Sequence, residues 1–294
     1  MTQRTQPAYL LPVWSRPMHS VELAHGTVRY RDEGDWRPIV FVHGVLVNGL
    51  LWRRVTPLLE GFRVIVPDWP LGSHEVPMNP KADLTPPGLA RIVADFIEAL
   101  GLDDVVLVAN DTGGAIAQIV ATEHPERIGA LVLTPCDAFE NFLPPMFKGL
   151  QVAARVPGAL SAFLAPLRVR ALRQLPLAFG WLRKRRIEDE VSDAYLAPYY
   201  AHAGVRRDLR KVLTGISKRY TLDAAGRLAH FGKPALVVWA SEDKVFPVEH
   251  GRRLAAILGA RVVEVADSYS FVPEDQPEPL AGLIAEFARE RAVA

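Results

Sequence analysis

An aspartate occupies a sharp turn signal in the segment VANDTGGA, residues 108–115. Asp111 follows an apolar run, and two glycines separate it from the helix-like run AIAQIVATEH. Only small residues let a helix pack so closely on the preceding strand, so we expect the turn to aim the Asp111 side chain into a site. A carboxylate there can attack a saturated carbon that carries a leaving group, because the product is an alkyl ester of the enzyme. It can also act as a general acid or base.

Strand signals surround this turn on both sides. Continuous apolar runs rich in β-branched residues are typical of strands buried on both faces of a parallel sheet. Helix-like segments alternate with them, such as residues 86–101 and 279–290. The alternation predicts an α/β fold with a mostly parallel, doubly wound sheet, whose ligand site lies beyond the carboxyl ends of the strands. The predicted strands are residues 38–42, 63–68, 105–110, 130–134, 234–240 and 260–266.

Residues 138–222 break this alternation, because they are rich in Leu, Ala, Arg and Pro and show no clear strand. We therefore predict a core of residues 1–137 and 223–294 and an inserted helical cap of residues 138–222. The cap has 15 Lys and Arg against 6 Asp and Glu, a net charge of +9, and the rest has 19 against 27, a net charge of −8. Leu160, Phe163, Leu164, Leu167 and Leu172 are expected to face inward over a cavity, and Arg168, Arg170, Arg173 and residues 183–186 to lie mostly outward.

The composition is that of a globular protein with a packed core: 49% of the 294 residues are apolar and 23% are charged. A single cysteine, Cys136, excludes an internal disulfide and a multi-cysteine zinc site. We find no signal-peptide pattern and no apolar run of about 18 residues, so a cytoplasmic location without a membrane span is expected. The expected partner is a small-molecule substrate, without cofactor, metal or nucleic acid. An anionic ligand or surface at the basic cap and the oligomeric state both stay open.

Several motifs, in order along the chain, resemble those of the α/β hydrolase superfamily. FVHGVLVNGLLWRRV (41–55) is similar to its oxyanion loop, NDTGG to its nucleophile elbow, WASEDKVFP (239–247) to its acid turn, and SFVPEDQPEPL to the surroundings of its catalytic histidine. An aspartate at the elbow resembles the haloalkane dehalogenase and epoxide hydrolase branch. The resemblance implies the α/β hydrolase fold, Asp111 as nucleophile, Asp243 as the acid, and an oxyanion hole formed by the N–H groups of Val45 and Thr112.

The chain departs from this pattern at the histidine. Where the family usually has Gly-His-Phe, this sequence has Tyr269-Ser270-Phe271. Serine has no useful base pKa near neutrality, so Ser270 cannot activate water, and an ester on Asp111 would persist. The positions that hold halide in dehalogenases are Thr112 and Val45 here, with Asn48 near the second of them in sequence.

Other polar residues are further candidates. His74, in a loop bordering the site, is an alternative base. His43 is expected to fix the oxyanion loop, and His124, His230 and His250 to lie at the surface. Asp137 is expected to cap the first cap helix, with a role at the site as the alternative. Further pocket candidates are Asn48, Asn110, Cys136 and Tyr269, and the cap tyrosines Tyr195, Tyr199, Tyr200 and Tyr220 could donate protons to an epoxide, although packing roles are favoured.

Three functions are compatible with these residues. The first is hydrolysis of a halide or epoxide through Asp111 with an unrecognised base such as His74. The second is a cofactor-independent lyase or isomerase that uses Asp111 as acid or base. The third is a ligand-binding protein that has lost turnover.

Overall fold

One eight-stranded sheet forms the centre of the computed structural model, which describes residues 18–290. The sheet order is β1-β2-β4-β3-β5-β6-β7-β8. β2 pairs antiparallel with β1 and with β4, and every other pair is parallel. The predicted α/β fold with a mostly parallel sheet is confirmed. The strands are β1 His19–Leu23, β2 Gly26–Glu33, β3 Pro38–Val42, β4 Arg63–Asp68, β5 Val105–Asp111, β6 Ile128–Cys136, β7 Ala235–Ala240 and β8 Arg261–Val265.

All six predicted strands are present within two residues at each end, because their continuous apolar runs lie in the buried interior. The first two strands, β1 and β2, were not predicted from the sequence. They form an antiparallel hairpin at the edge of the sheet and are only partly buried. Their charged and polar residues therefore interrupt the apolar pattern that identified the other strands.

Ten α-helices pack around the sheet in the described part of the chain. The first is capped by Thr85, whose side chain accepts a hydrogen bond from the Gly88 N–H, and it ends at Ala99, two residues before the predicted end. The helices are α1 Pro86–Ala99, α2 Thr112–Glu123, α3 Lys148–Arg155, α4 Ala159–Leu164, α5 Asp189–Ala201, α6 Ala203–Gly215, α7 Lys218–Arg227, α8 Val248–Leu258, α9 Val272–Asp275 and α10 Pro277–Glu290.

Helices and turns fill the chain between β6 and β7, where the described residues form one isolated bridge, Ala138 to Asn141, and no strand. Helix α7 runs through residue 222, so the second predicted boundary of the cap falls inside a helix. The division into core and cap stays a prediction. No helix within residues 18–290 is long and apolar enough to cross a membrane.

Two of the predicted outward-facing cap cations are buried. Arg173 is 4% exposed and donates hydrogen bonds to Ser192 Oγ at 2.8 Å and Asp193 Oδ1 at 2.6 Å. Arg183 is 6% exposed and donates to the Arg185 carbonyl oxygen at 2.9 Å. Their guanidinium groups have hydrogen-bond acceptors inside the protein, so the prediction was wrong for these two.

Candidate active site

Asp111 ends β5 and stands immediately before α2, with φ 57° and ψ −136°. A positive φ is a strained conformation for a residue with a side chain. The two glycines after it make the turn possible. A Cβ on Gly113 would lie 2.5 Å from the Val42 carbonyl oxygen, and one on Gly114 would lie 2.2 Å from Cys136 Cβ. The turn therefore has the geometry of a nucleophile elbow.

Asp111 lines a cavity of about 270 Å³ and supplies the only carboxyl group in the described part of its wall. Thr112 is the other polar residue in its wall, and all the remaining lining residues are apolar. Most of them come from residues 143–182, and Val45 and Leu46 come from the loop after β3. Four of the five predicted inward-facing cap residues, Phe163, Leu164, Leu167 and Leu172, line the cavity, and the fifth, Leu160, is buried outside its wall. The wall suits a small apolar molecule.

Burial raises the pKa of Asp111 to about 7. Hydrogen bonds from the Thr112 N–H and hydroxyl oppose this effect, and the negative charge of Asp243 adds to it. Thr112 Oγ1 lies 3.5 Å from Asp111 Oδ1. Near neutral pH the carboxyl group is thus present in both ionised and protonated forms, and either can enter a reaction.

Asp137 is a second carboxyl group beside the elbow and is fully buried. Thr112 Oγ1 donates to Asp137 Oδ2 at 3.2 Å, so this hydroxyl lies between the two carboxyl groups. Burial and then the nearby charge of Asp111 raise the pKa of Asp137 well above its ordinary value. The first helical turn after Asp137 begins only at Pro145, so the prediction that Asp137 caps a cap helix was wrong.

Cys136 lies behind the elbow and does not line the cavity. Its side chain is buried against Gly114, and its sulfur lies 3.8 Å from Gln118 Nε2. Burial raises the pKa of the Cys136 thiol well above its usual range, so the group is protonated and unreactive as a nucleophile.

Asp243 and Ser270 lie together, although 27 residues separate them along the chain. Ser270 Oγ donates to Asp243 Oδ1 at 2.8 Å, and the N–H groups of Val245 and Phe246 donate to the same oxygen at 2.7 and 2.8 Å. Burial raises the pKa of Asp243 to about 6, against the effect of these hydrogen bonds. The Ser270 hydroxyl is therefore bonded to a carboxylate, as an imidazole oriented by an acid would be.

The loop that carries Ser270 is anchored to both the elbow and the cap. Asn110 Nδ2, one residue before Asp111, donates to the Ser270 carbonyl oxygen at 2.8 Å. The Phe271 N–H donates to the Leu182 carbonyl oxygen at 2.6 Å. Asn110 is buried and does not line the cavity, so its role is to hold the Ser270 loop.

No histidine within residues 18–290 forms a hydrogen bond or ion pair with Asp111, Asp243 or Ser270, and none lines the cavity. His74 Nδ1 accepts from the Gly72 N–H at 3.4 Å, and its Nε2 faces Asp208 Oδ2 at 3.3 Å. This pairing links His74 to helix α6. The predicted alternative base is therefore not brought to the candidate nucleophile.

His43 holds the loop after β3. Its Nδ1 donates to the Gly44 carbonyl oxygen and its Nε2 accepts from the Trp69 N–H, both at 2.9 Å. Burial lowers the pKa of His43 to about 4, so the ring is neutral. His250 was predicted to lie at the surface, but it is buried at 7% exposure, with its ring against Phe139.

The loop that His43 holds carries one of the two candidate oxyanion residues, Val45, and the other, Thr112, begins α2. Val45 lines the cavity, and the Thr112 N–H donates to the Asp111 carboxylate. A Cβ on Gly44 would lie 2.2 Å from Asp111 Oδ2, so only glycine leaves room for the carboxylate. Asn48 lies outside the cavity wall, where its Oδ1 accepts from the Leu50 N–H at 3.1 Å.

The aromatic candidates also lie outside the cavity wall. The Tyr269 ring lies 4.6 Å from Lys244 Nζ and 5.3 Å from Lys184 Nζ, which is a cation–π arrangement near the surface. The four cap tyrosines have hydroxyl partners elsewhere: Tyr195 donates to Glu274, Tyr199 pairs with Ser161, Tyr200 donates to the Leu164 carbonyl, and Tyr220 accepts from Arg219.

The sequence analysis missed a buried ionic network around Arg53. Arg53 donates two hydrogen bonds to Glu274, at 2.5 and 2.9 Å, and a third to Glu188. Burial acts to lower the pKa of Arg53, but the charges of Glu274 and Glu188 raise it. The network joins the segment after β3, the cap and the segment after Ser270. Since 221 residues separate Arg53 from Glu274, no local signal could have found it.

Comparison with known proteins agrees with this fold. A family model described as the α/β hydrolase fold matches residues 37–277. The chain therefore belongs to the α/β hydrolase family, and the predicted α/β hydrolase fold is confirmed.

Individual relatives extend over nearly the whole chain. A haloalkane dehalogenase of Mycobacterium tuberculosis is 29% identical over 295 residues, which cover 96% of this chain and 97% of the relative. An uncharacterized hydrolase of Bacillus subtilis is 26% identical and covers 85% and 89%. The solved structure of a haloalkane dehalogenase from Bradyrhizobium elkani has a TM-score of 0.77 at 21% identity, covering 94% and 99%, which supports the fold alone.

Proposed function

We propose that this protein is an enzyme that acts on a small apolar organic substrate, with Asp111 as the reacting group. The observation that carries the proposal is the position of the Asp111 carboxyl group in a cavity whose wall is otherwise apolar, apart from Thr112. Such a cavity binds an apolar molecule and presents its reactive carbon to one carboxyl group. Similarity to haloalkane dehalogenases supports the same substrate class.

The first step is nucleophilic attack by ionised Asp111. One carboxylate oxygen attacks a saturated carbon, and the bond to the leaving atom breaks with its electron pair. A haloalkane releases a halide ion, whereas an epoxide opens to an alkoxide that stays attached to the substrate and takes a proton from water. The product is an alkyl ester of Asp111. Burial favours this step because the carboxylate is poorly solvated and has a raised pKa.

Hydrolysis of that ester needs an activated water, and the usual agent is a histidine. Ser270 occupies the place beside Asp243, and its hydroxyl is not a base near neutral pH. No histidine among the described residues bonds to Asp111 or Asp243. The ester is therefore expected to form and then to persist, with slow turnover.

A second candidate function is proton transfer by Asp111 in a cofactor-independent lyase or isomerase. The pKa of about 7 favours this alternative, because a general acid or base works best when its pKa is near the working pH. This reaction forms no ester, so the missing histidine does not hinder it.

Intact-mass measurement after incubation with a panel of haloalkanes and epoxides tests the proposal. A mass increase equal to the alkyl group less one hydrogen for a haloalkane, or to the whole epoxide, which is absent in Asp111→Asn, supports the nucleophilic function. Product without an accumulated adduct points to an additional base. Turnover of a substrate by proton transfer, with no adduct at any time, supports the second candidate. If neither adduct nor product forms across the panel, Asp111 is not a nucleophile for these substrates, and the proton-transfer function and a ligand-binding role are the alternatives that stay open.

A further inference from the structure

The apolar wall of the cavity continues onto the outer surface of the protein. Phe163, Leu175 and Leu177 line the cavity, yet they are 47%, 51% and 64% exposed. We call these three residues the cavity rim. Large apolar side chains exposed together cost free energy in water and are typical of a surface that meets a partner.

Helix α3 extends the rim. A Cβ placed on Gly149 would lie 3.2 Å from the Phe163 ring, so this part of α3 adjoins the rim. Val152 follows Gly149 by three residues and lies on the same side of α3, and Val156 is the first residue after this helix. The two valines are 61% and 53% exposed. The rim and this face of α3 therefore form one apolar surface.

The segment that carries this surface is basic. Residues 141–187 contain nine Lys and Arg and no Asp or Glu. Some of these cations are paired with acids elsewhere, as Arg170 is with Asp193. Lys148 and Arg155 are exposed, and among the described residues they form no ion pair. Both belong to α3, so available cations flank the exposed valines.

We infer that this surface docks on a lipid bilayer that contains anionic lipids, and that the cavity opens toward the bilayer. Exposed apolar side chains flanked by Lys and Arg are the combination that binds such interfaces, through apolar burial together with attraction to anionic headgroups. An apolar substrate dissolved in the membrane then reaches the cavity past the rim without crossing water. Docking goes beyond the proposed chemistry and does not require Asp111.

Vesicle sedimentation with the full chain tests this inference. The probes are neutral phosphatidylcholine vesicles and anionic vesicles with roughly one third phosphatidylglycerol. Each Lys or Arg that faces the anionic headgroups strengthens binding to the second kind. The protein should bind the anionic vesicles, bind the neutral ones at least about fivefold more weakly, and lose binding as salt is added.

Two matched pairs of variants locate the surface. Leu175→Ser with Leu177→Ser should weaken binding to anionic vesicles by about tenfold or more, because two apolar side chains no longer enter the interface. Leu58→Ser with Val262→Ser, which replaces exposed apolar residues far from the rim in sequence, should leave binding unchanged. Lys148→Glu should weaken binding by at least about fivefold, and Lys81→Glu should not.

Several results would overturn the inference: wild-type protein that does not bind anionic vesicles, equal binding to both vesicle types, or rim and control variants that behave alike. A dimer that the rim variants dissociate would identify the surface as a contact between two copies instead. Circular dichroism checks folding, and Leu177→Ser alone carries the test if the double variant does not fold. Asp111→Asn should bind vesicles like the wild type, so failure of the proposed chemistry and failure of docking are distinguishable.

Discussion

The rate of ester formation at Asp111 should rise about tenfold between about pH 6 and pH 8. Burial raises the pKa of Asp111 to about 7. Only the ionised carboxylate attacks carbon, so roughly one tenth of the molecules are reactive one unit below this pKa and roughly nine tenths one unit above it. An ordinary aspartate, with a pKa of about 3.9, would show almost no change across the same range.

The assay is the rate of adduct formation with a soluble alkyl halide, followed by intact mass at a series of pH values. Asp111→Asn should form no adduct at any pH. Asp243→Asn is the informative variant: the charge of Asp243 contributes to the raised pKa of Asp111, so removing it should shift the midpoint to lower pH. The side-chain carbonyl of the introduced amide can still accept the bonds that the Val245 and Phe246 N–H groups donate. A rate of adduct formation that does not change between about pH 6 and pH 8 would refute the argument that burial raises the pKa of Asp111.

Three further predictions follow from the same contacts. Ser270→His should place an imidazole beside Asp243, the acid that Ser270 now contacts, so the ester on Asp111 should be hydrolysed and alcohol released. An ester as stable as in the wild type would contradict the assignment of position 270 as the place of the catalytic histidine. Arg53→Ala should lower the free energy of unfolding in urea by about 3–5 kcal/mol, because Glu274 stays buried without its partner, whereas Arg252→Ala, at an exposed pair, should lower it by far less; equal losses would contradict the argument. Asp111→Asn should be more stable than the wild type at high pH. The pKa of Asp111 is raised from 3.8 to about 7 in the folded state, so the wild type loses stability as the pH rises from 3.8 to about 7. The stability difference between the variant and the wild type should therefore grow by up to roughly 4 kcal/mol over this pH range. A difference that is independent of pH would show that Asp111 does not titrate in this way.

The core strands and the elbow were predictable because their signals are local. A continuous run of apolar, β-branched residues, such as β5, predicts a strand that is buried on both faces of a sheet. This signal does not depend on the rest of the chain. The two glycines after Asp111 similarly predict a tight turn into a helix. The hairpin of β1 and β2 was missed because half-exposed edge strands keep polar residues that blur the pattern.

The hydrogen-bond partners of the polar residues were not predictable, because these partners lie in distant segments of the chain. His74 was an alternative base in the sequence, and in the structure it pairs with Asp208, 134 residues away. Asp137 was expected at a helix cap, and it is buried beside the Thr112 hydroxyl.

By itself, the sequence determined the fold, the place of Asp111 at a tight turn and the lack of a histidine at position 270, since each depends on neighbouring residues along the chain. Only the tertiary structure decided that Ser270 bonds to Asp243, that the Asp111 carboxyl group faces an apolar cavity, and that the cavity wall continues into an exposed rim. The physical reason is that burial and pairing depend on which segments pack together. That packing sets the pKa of Asp111, and with it the chemistry that this carboxyl group can perform.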